Sequence, residues 1–166
     1  MPSERFVEAL NEQIAREFAA AQQYTAIGAW YDSQTLPRLA AFFNEQAEEE
    51  RGHARKMIRY LLDTGAPVRI GAVPAPRCDF SDHVEPIRTG LEQERQNTVA
   101  ISKLFEIARE TRDHASEVFM HWFISEQVEE ERVMGDLLQV AERVRDFPMA
   151  LEEFLAREGE NLRDEE

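Results

Sequence analysis

Apolar side chains recur at three- and four-residue steps through most of this chain, the period of amphipathic helices rather than of strands. A first stripe runs from about Ser3 to Asp32 through Phe6 or Val7, Leu10, Ile14, Glu17, Ala21, Tyr24 and Gly28, with Ser3 placed to cap it. Pro37 and Gly65 bracket a second, through Leu39, Phe43, Gln46, Glu50, His53, Met57 and Leu61. The third begins near Ser81 or Glu85 and passes Val84, Ile87, Leu91, Glu94, Thr98, Ile101, Phe105 and Ala108 before ending near Glu110. After a short turn at 111–113, the fourth carries Phe119, Phe123, Glu126 or Gln127, Glu130, Val133, Leu137 and Val140. Pro148 breaks it. Met149 to Glu158 reads as a short fifth helix with Leu151, Phe154 and Leu155 on one face, followed by an acidic end at 163–166.

The connections decide how these helices pack. Short turns join the first to the second and the third to the fourth, which makes each pair antiparallel. Between the pairs, about eighteen residues from Thr64 to Ser81 contain Gly65, Pro67, Gly71, Pro74 and Pro76 and keep no helical period. A segment of that length can run along a bundle of helices roughly 40 Å long. The predicted fold is all-α: a four-helix bundle with one long crossover and a short C-terminal helix. It forms a single domain over 1–166, with the bundle at about 3–145 and the C-terminal segment at about 147–166.

Each of the four stripes is interrupted near its middle, and a carboxylate stands at each interruption: Glu17, Glu50 with His53, Glu94, and Glu130 with Gln127 close by. Four uncompensated carboxylates in one core would be prohibitive, and divalent cations remove the penalty. Four Glu and one His, with Glu50 and His53 on one face at i, i+3, suffice for two adjacent ions sharing a bridging carboxylate. Ligation rich in oxygen and free of thiolate favours iron or manganese over zinc. One Glu on a stripe commonly reaches water at a seam edge, and one His is commonly a satisfied core residue. One acid per helix at matching heights plus Glu50-x-x-His53 is not accounted for in that way. Tyr24 suits the core or the site equally, while Phe42, Phe43, Trp122 and Phe123 read as core. Glu48, Glu49, Glu126, Glu129 and Glu131 form a second acidic set, readable as solvated faces or, for Glu49, Glu126 and Glu129, as a more exposed third cation site.

Composition narrows the partners. Thirty-three acidic residues against 19 Lys and Arg give a formal charge of −14, which argues against nucleic acid and anionic membranes and for cations. A single cysteine, Cys78, supports neither an internal disulfide nor a thiolate zinc site. No apolar run approaches the roughly 18 residues of a membrane span, and the first residues do not read as a signal peptide, so a cytoplasmic location is expected.

The segments Glu48-Glu49-Glu50-Arg51-Gly52-His53 and Phe123-Ile124-Ser125-Glu126-Gln127-Val128-Glu129-Glu130-Glu131 resemble the second- and fourth-helix signatures of bacterial non-haem ferritins. The likeness extends from about residue 5 to 145 and includes Asn11-Glu12-Gln13 through Glu17 and the exit Asp63-Thr64-Gly65. It implies a ferroxidase centre with Glu17, Glu50 and His53 on one iron and Glu50, Glu94 and Glu130 on the other, Glu50 bridging. Gln127 would lie toward the oxygen-binding side and Tyr24 would hydrogen-bond near the ligands. Glu49, Glu126 and Glu129, with Glu130 shared, would form the third iron site. The resemblance further implies a 24-subunit homo-oligomeric cage that oxidises Fe(II) with oxygen or peroxide and stores ferric mineral, with Glu117 lining a three-fold channel. Arg51 and Gln127-x-x-Glu130 stand where haem-binding relatives carry a Met and a second Glu-x-x-His, so no haem is expected. Two features depart from the family: Arg145-Asp146-Phe147-Pro148 lacks the glycines common before the last helix, and Met120 replaces the second channel carboxylate of animal ferritins. A non-storing soluble di-iron redox enzyme of the same fold, and a bundle whose polar positions only set helix register, are the alternatives.

Overall fold

The computed structural model describes residues 1–162; the acidic end read at 163–166 lies outside them. Five helices follow in order: α1 (Glu4–Ser33), α2 (Pro37–Asp63), α3 (Glu85–Glu110), α4 (His114–Arg143) and α5 (Pro148–Glu158), the last running into a 3₁₀ turn at Gly159–Leu162. Among the described residues no strand forms, and no helix is long and apolar enough to cross a membrane. Local chemistry sets the boundaries. Ser3 caps α1 by accepting from Phe6 N, and Asp113 caps α4 by accepting from Ser116 N. Pro37, Pro86 and Pro148 occupy first turns, where a missing N–H costs nothing. Gly65, at φ +72°, turns the chain out of α2.

Two tight turns fold α1 onto α2 and α3 onto α4, and α1 packs against α3 to join the hairpins. Each turn holds one residue in the left-handed region, Thr35 at φ 60° and Arg112 at φ 55°. The crossover between the hairpins is irregular and is clamped to α1 by two side-chain amides. Asn11 donates to Pro67 O at 3.0 Å and accepts from Arg69 N at 2.6 Å. Gln23 donates to Arg77 O at 2.8 Å and accepts from Arg77 N at 2.9 Å. The clamps lie roughly 18 Å apart along α1 at 1.5 Å per residue, so the segment does run along the bundle.

The hydrophobic core is divided. One cluster gathers Tyr24, Ile27, Tyr31, Leu39, Phe43, Ile87, Met134 and Leu137. The other gathers Phe6, Leu10, Ile14, Met57, Leu61, Ile101, Leu104 and Phe123. Where the two meet on α1–α4 stand the buried polar residues Gln13, Glu17, Gln46, Glu50, His53, Glu94, Asn97, Gln127 and Glu130. α5 docks on the first cluster through Leu151 and Leu155. Its buried Glu152 accepts from Arg38 N and Leu39 N, both at 2.9 Å, and so satisfies the start of α2, which has no side-chain cap of its own.

Candidate metal centre

The polar belt takes one carboxylate from each bundle helix. Glu17, Glu50 and Glu94 are fully buried and Glu130 nearly so. His53 lies one turn beyond Glu50, its Nδ1 3.1 Å from Glu50 Oε2 and 3.7 Å from Glu17 Oε2, while Nε2 is 3.8 Å from Glu126 Oε1. Each ring nitrogen therefore serves a different group of acids. Candidate ligand atoms of Glu17, Glu50 and His53 lie within 4.8 Å of one another, and so do those of His53, Glu126 and Glu130. Glu49 and Glu129 are half-buried and fall outside both groups.

Glu94 also falls outside these groups and is held differently. Its Oε1 accepts from the buried Tyr24 hydroxyl, and its Oε2 accepts from Gln127 Nε2 at 3.2 Å. Gly90 permits this arrangement, because a Cβ there would stand 3.1 Å from Met134 Sδ and 3.3 Å from Tyr24 Cε1. Trp122, read as core, is only half-buried; it meets His53 edge-on at 5.4 Å and has Lys56 Nζ 3.2 Å from its ring centroid. Phe42, Phe43 and Phe123 are buried as expected.

Electrostatics describe a site that holds protons until cations replace them. Burial, reinforced by Glu94 and Glu17, pushes the Glu50 carboxyl well above its usual range, and burial likewise raises Glu94. Burial, then the Glu94 charge, lifts Glu130 to about 8. Glu17 goes the other way: burial opposes its ionisation, but the proximity of His53 and Glu50 and the hydrogen bond from Gln13 outweigh that and lower its pKa. Burial disfavours a charged His53, yet contact with Glu126, Glu17 and Glu50 pushes it up to about 12. Burial, then the charges of Glu94 and Glu50, holds the Tyr24 hydroxyl far above its usual value.

The residues fit a pair of hard or borderline divalent ions. Glu17 Oε2 and Glu50 Oε1 are buried without a hydrogen-bond partner, and an unmet acceptor of this kind costs about 1–3 kcal/mol or more when charged. Carboxylate oxygens with one imidazole and no thiolate match Fe(II) or Mn(II).

The sequence reading did not single out Gln13 and Asn97 as part of the site. Both are buried amides reaching Glu17 Oε1, from Nε2 at 2.8 Å and Nδ2 at 3.4 Å. Their spacing carried a signal, since Gln13 stands four residues before Glu17 and Asn97 three after Glu94. Elsewhere, Glu117 is half-buried with Arg109 Nε at 3.6 Å and His114 Nδ1 at 3.7 Å, and Met120 is wholly buried. The guanidinium of Arg51 engages Glu48 and donates to Thr25 Oγ1 at 3.0 Å.

Comparison with known proteins bears on the family and the fold. The family model of the ferritin-like domain matches residues 7–144. Ferritin BfrB of Mycobacterium tuberculosis is 42% identical over 157 residues, covering 95% of this chain and 87% of the relative. The bacterial non-heme ferritin of Staphylococcus aureus is 39% identical over 166 residues, the full length of both chains. Among solved structures, an open pore ferritin from Archaeoglobus fulgidus superposes with a TM-score of 0.88 at 31% identity, covering 92% of this chain and 94% of that one. A version of the Archaeoglobus fulgidus ferritin engineered to a closed form gives 0.90 at 31% identity over 95% and 96%.

Proposed function

We propose, from the premise that this chain belongs to the ferritin-like domain family, that it is a cytoplasmic iron-storage subunit oxidising Fe(II) with oxygen or peroxide. The observation that carries this reading is the pair of orphaned buried oxygens, Glu17 Oε2 and Glu50 Oε1, with His53 Nδ1 beside them. Ferrous iron is the substrate. Two ferrous ions supply two electrons, which with two protons reduce O₂ to hydrogen peroxide. Glu17, Glu50 and His53 receive one ion, and Glu50, Glu94 and Glu130 receive the other.

The chain's own groups contribute in three ways. Ionised carboxylates favour the higher charge of ferric over ferrous iron, and that difference in stabilisation drives the oxidation. Tyr24 and Gln127 fix the two oxygens of Glu94. Glu126, facing the outer nitrogen of His53, offers the oxidised ion a first step outward, with Glu49 and Glu129 further along as the outer site. We place the ferric product in the cavity of a homo-oligomeric shell of 24 subunits without haem.

Replacing Glu50 by Ala abolishes rapid Fe(II) oxidation in stopped-flow absorbance while leaving the assembled shell intact. Unchanged oxidation in that variant rejects the centre. A monomer or dimer by light scattering, with no electron-dense core after iron loading, rejects storage in favour of a soluble redox enzyme.

A further inference from the structure

Three side-chain amides are buried beside the ligand carboxylates, each from a different helix: Gln13 on α1, Asn97 on α3 and Gln127 on α4. They form one directed chain. Gln13 Nε2 donates to Glu17 Oε1 at 2.8 Å and to Asn97 Oδ1 at 2.5 Å. Asn97 Nδ2 donates to Glu17 Oε1 and to Gln127 Oε1, each at 3.4 Å. Gln127 Nε2 then reaches Glu94 Oε2 at 3.2 Å, Glu94 O at 3.3 Å and Thr98 Oγ1 at 3.2 Å. The chain therefore begins at one carboxylate, Glu17 on α1, and ends at another, Glu94 on α3.

The donors are not shared evenly over Glu17. Both amides approach Oε1, whereas Oε2, 3.7 Å from His53 Nδ1, has no hydrogen-bond partner. Packing does not ask for this arrangement. Leucine has the branched outline of asparagine, in a larger volume and without a polar group to satisfy, and apolar replacement of both partners of a buried hydrogen bond can be neutral or stabilising. A ligand carboxylate, in contrast, needs its outward oxygen anchored if the other is to keep a fixed direction.

We infer that Gln13 and Asn97 are positioning residues for the metal centre: they hold Glu17 as a one-oxygen ligand and, through Gln127, tie its orientation to that of Glu94 across the bundle. This rests on the reading that these carboxylates take divalent ions, and it adds two residues that do not themselves have to touch one.

The test uses Co(II), which reports coordination through its visible absorption, titrated anaerobically into the full-length protein and its Gln13→Leu and Asn97→Leu variants. The double variant removes both partners of the Gln13–Asn97 bond, so neither of these two amides is left orphaned, while Gln127 Oε1 and Glu17 Oε1 lose the donors they had. Each variant should keep native helicity and assembled size, bind the tighter Co(II) about tenfold or more weakly, and show altered visible bands as Glu17 becomes free to engage both oxygens. Isotherms and spectra that coincide with those of the unmodified protein in all three variants overturn the inference. Unmodified protein that binds Co(II) but fails to oxidise Fe(II) rapidly overturns the ferroxidase reading instead, and leaves the comparison of variants in force.

Discussion

Glu130 keeps its proton far into the neutral range, and that sets how the metal-free protein responds to pH. Its carboxyl is raised from 4.5 to about 8, chiefly by burial. Between those values the unfolded chain releases a proton that the folded chain retains, so stability falls as pH rises through the window. His53, raised from 6.5 to about 12, acts in the same sense: its contribution is complete below 6.5 and is lost toward 12. Thermal unfolding of metal-free protein should therefore show a Tm that declines from about pH 5 to pH 8, and Glu130→Gln should flatten the decline. Divalent ions must displace these protons. Calorimetric titration with Fe(II) near pH 6.5, in buffers of different ionisation enthalpy, should show proton release on binding, and Glu130→Gln should reduce it. The acids of this site were legible because each interrupts an apolar stripe. The amides were less so: spacing sets each on the face of a ligand, but Gln13 and Asn97 are neutral and common on helix surfaces, and only packing shows that both are buried against Glu17.

Among the elements, the bundle helices were legible because proline and capping side chains mark their starts and glycine or a tight turn their ends. What sequence could not show was a cap supplied from far away. Glu152 satisfies Arg38 N and Leu39 N from more than a hundred residues downstream, and no local pattern encodes that pairing. Glu152→Ala should cost about 1–2 kcal/mol by exposing these two N–H groups, seen as a Tm lower by a few degrees with Fe(II) oxidation unchanged. The turn between α1 and α2 invites the opposite change. Thr35 is β-branched at φ 60°, a conformation glycine adopts freely. Thr35→Gly should therefore raise stability by about 0.5–1 kcal/mol in denaturant titration.

At the scale of the whole molecule, the core is two apolar clusters with a layer of acids and amides between them. Each half is an ordinary helical core, and the layer is where the bundle is weakest without cations. Metal loading should accordingly raise the Tm and sharpen the unfolding transition, with a smaller gain in Glu50→Ala, as differential scanning calorimetry would measure. The crossover was legible as a long connection, but its clamps at Asn11 and Gln23 were not, because an exposed amide can face water equally well. The cap on α2 also has a meaning in the order of synthesis. Ser3 N waits for Asp113, and Arg38 N and Leu39 N wait for Glu152. A nascent chain thus leaves the ribosome with α1 capped by its own Ser3 but α2 unfinished at its start. Translation stopped just after α4 would yield every proposed ligand, yet α2 would still be frayed at the end that the last helix closes.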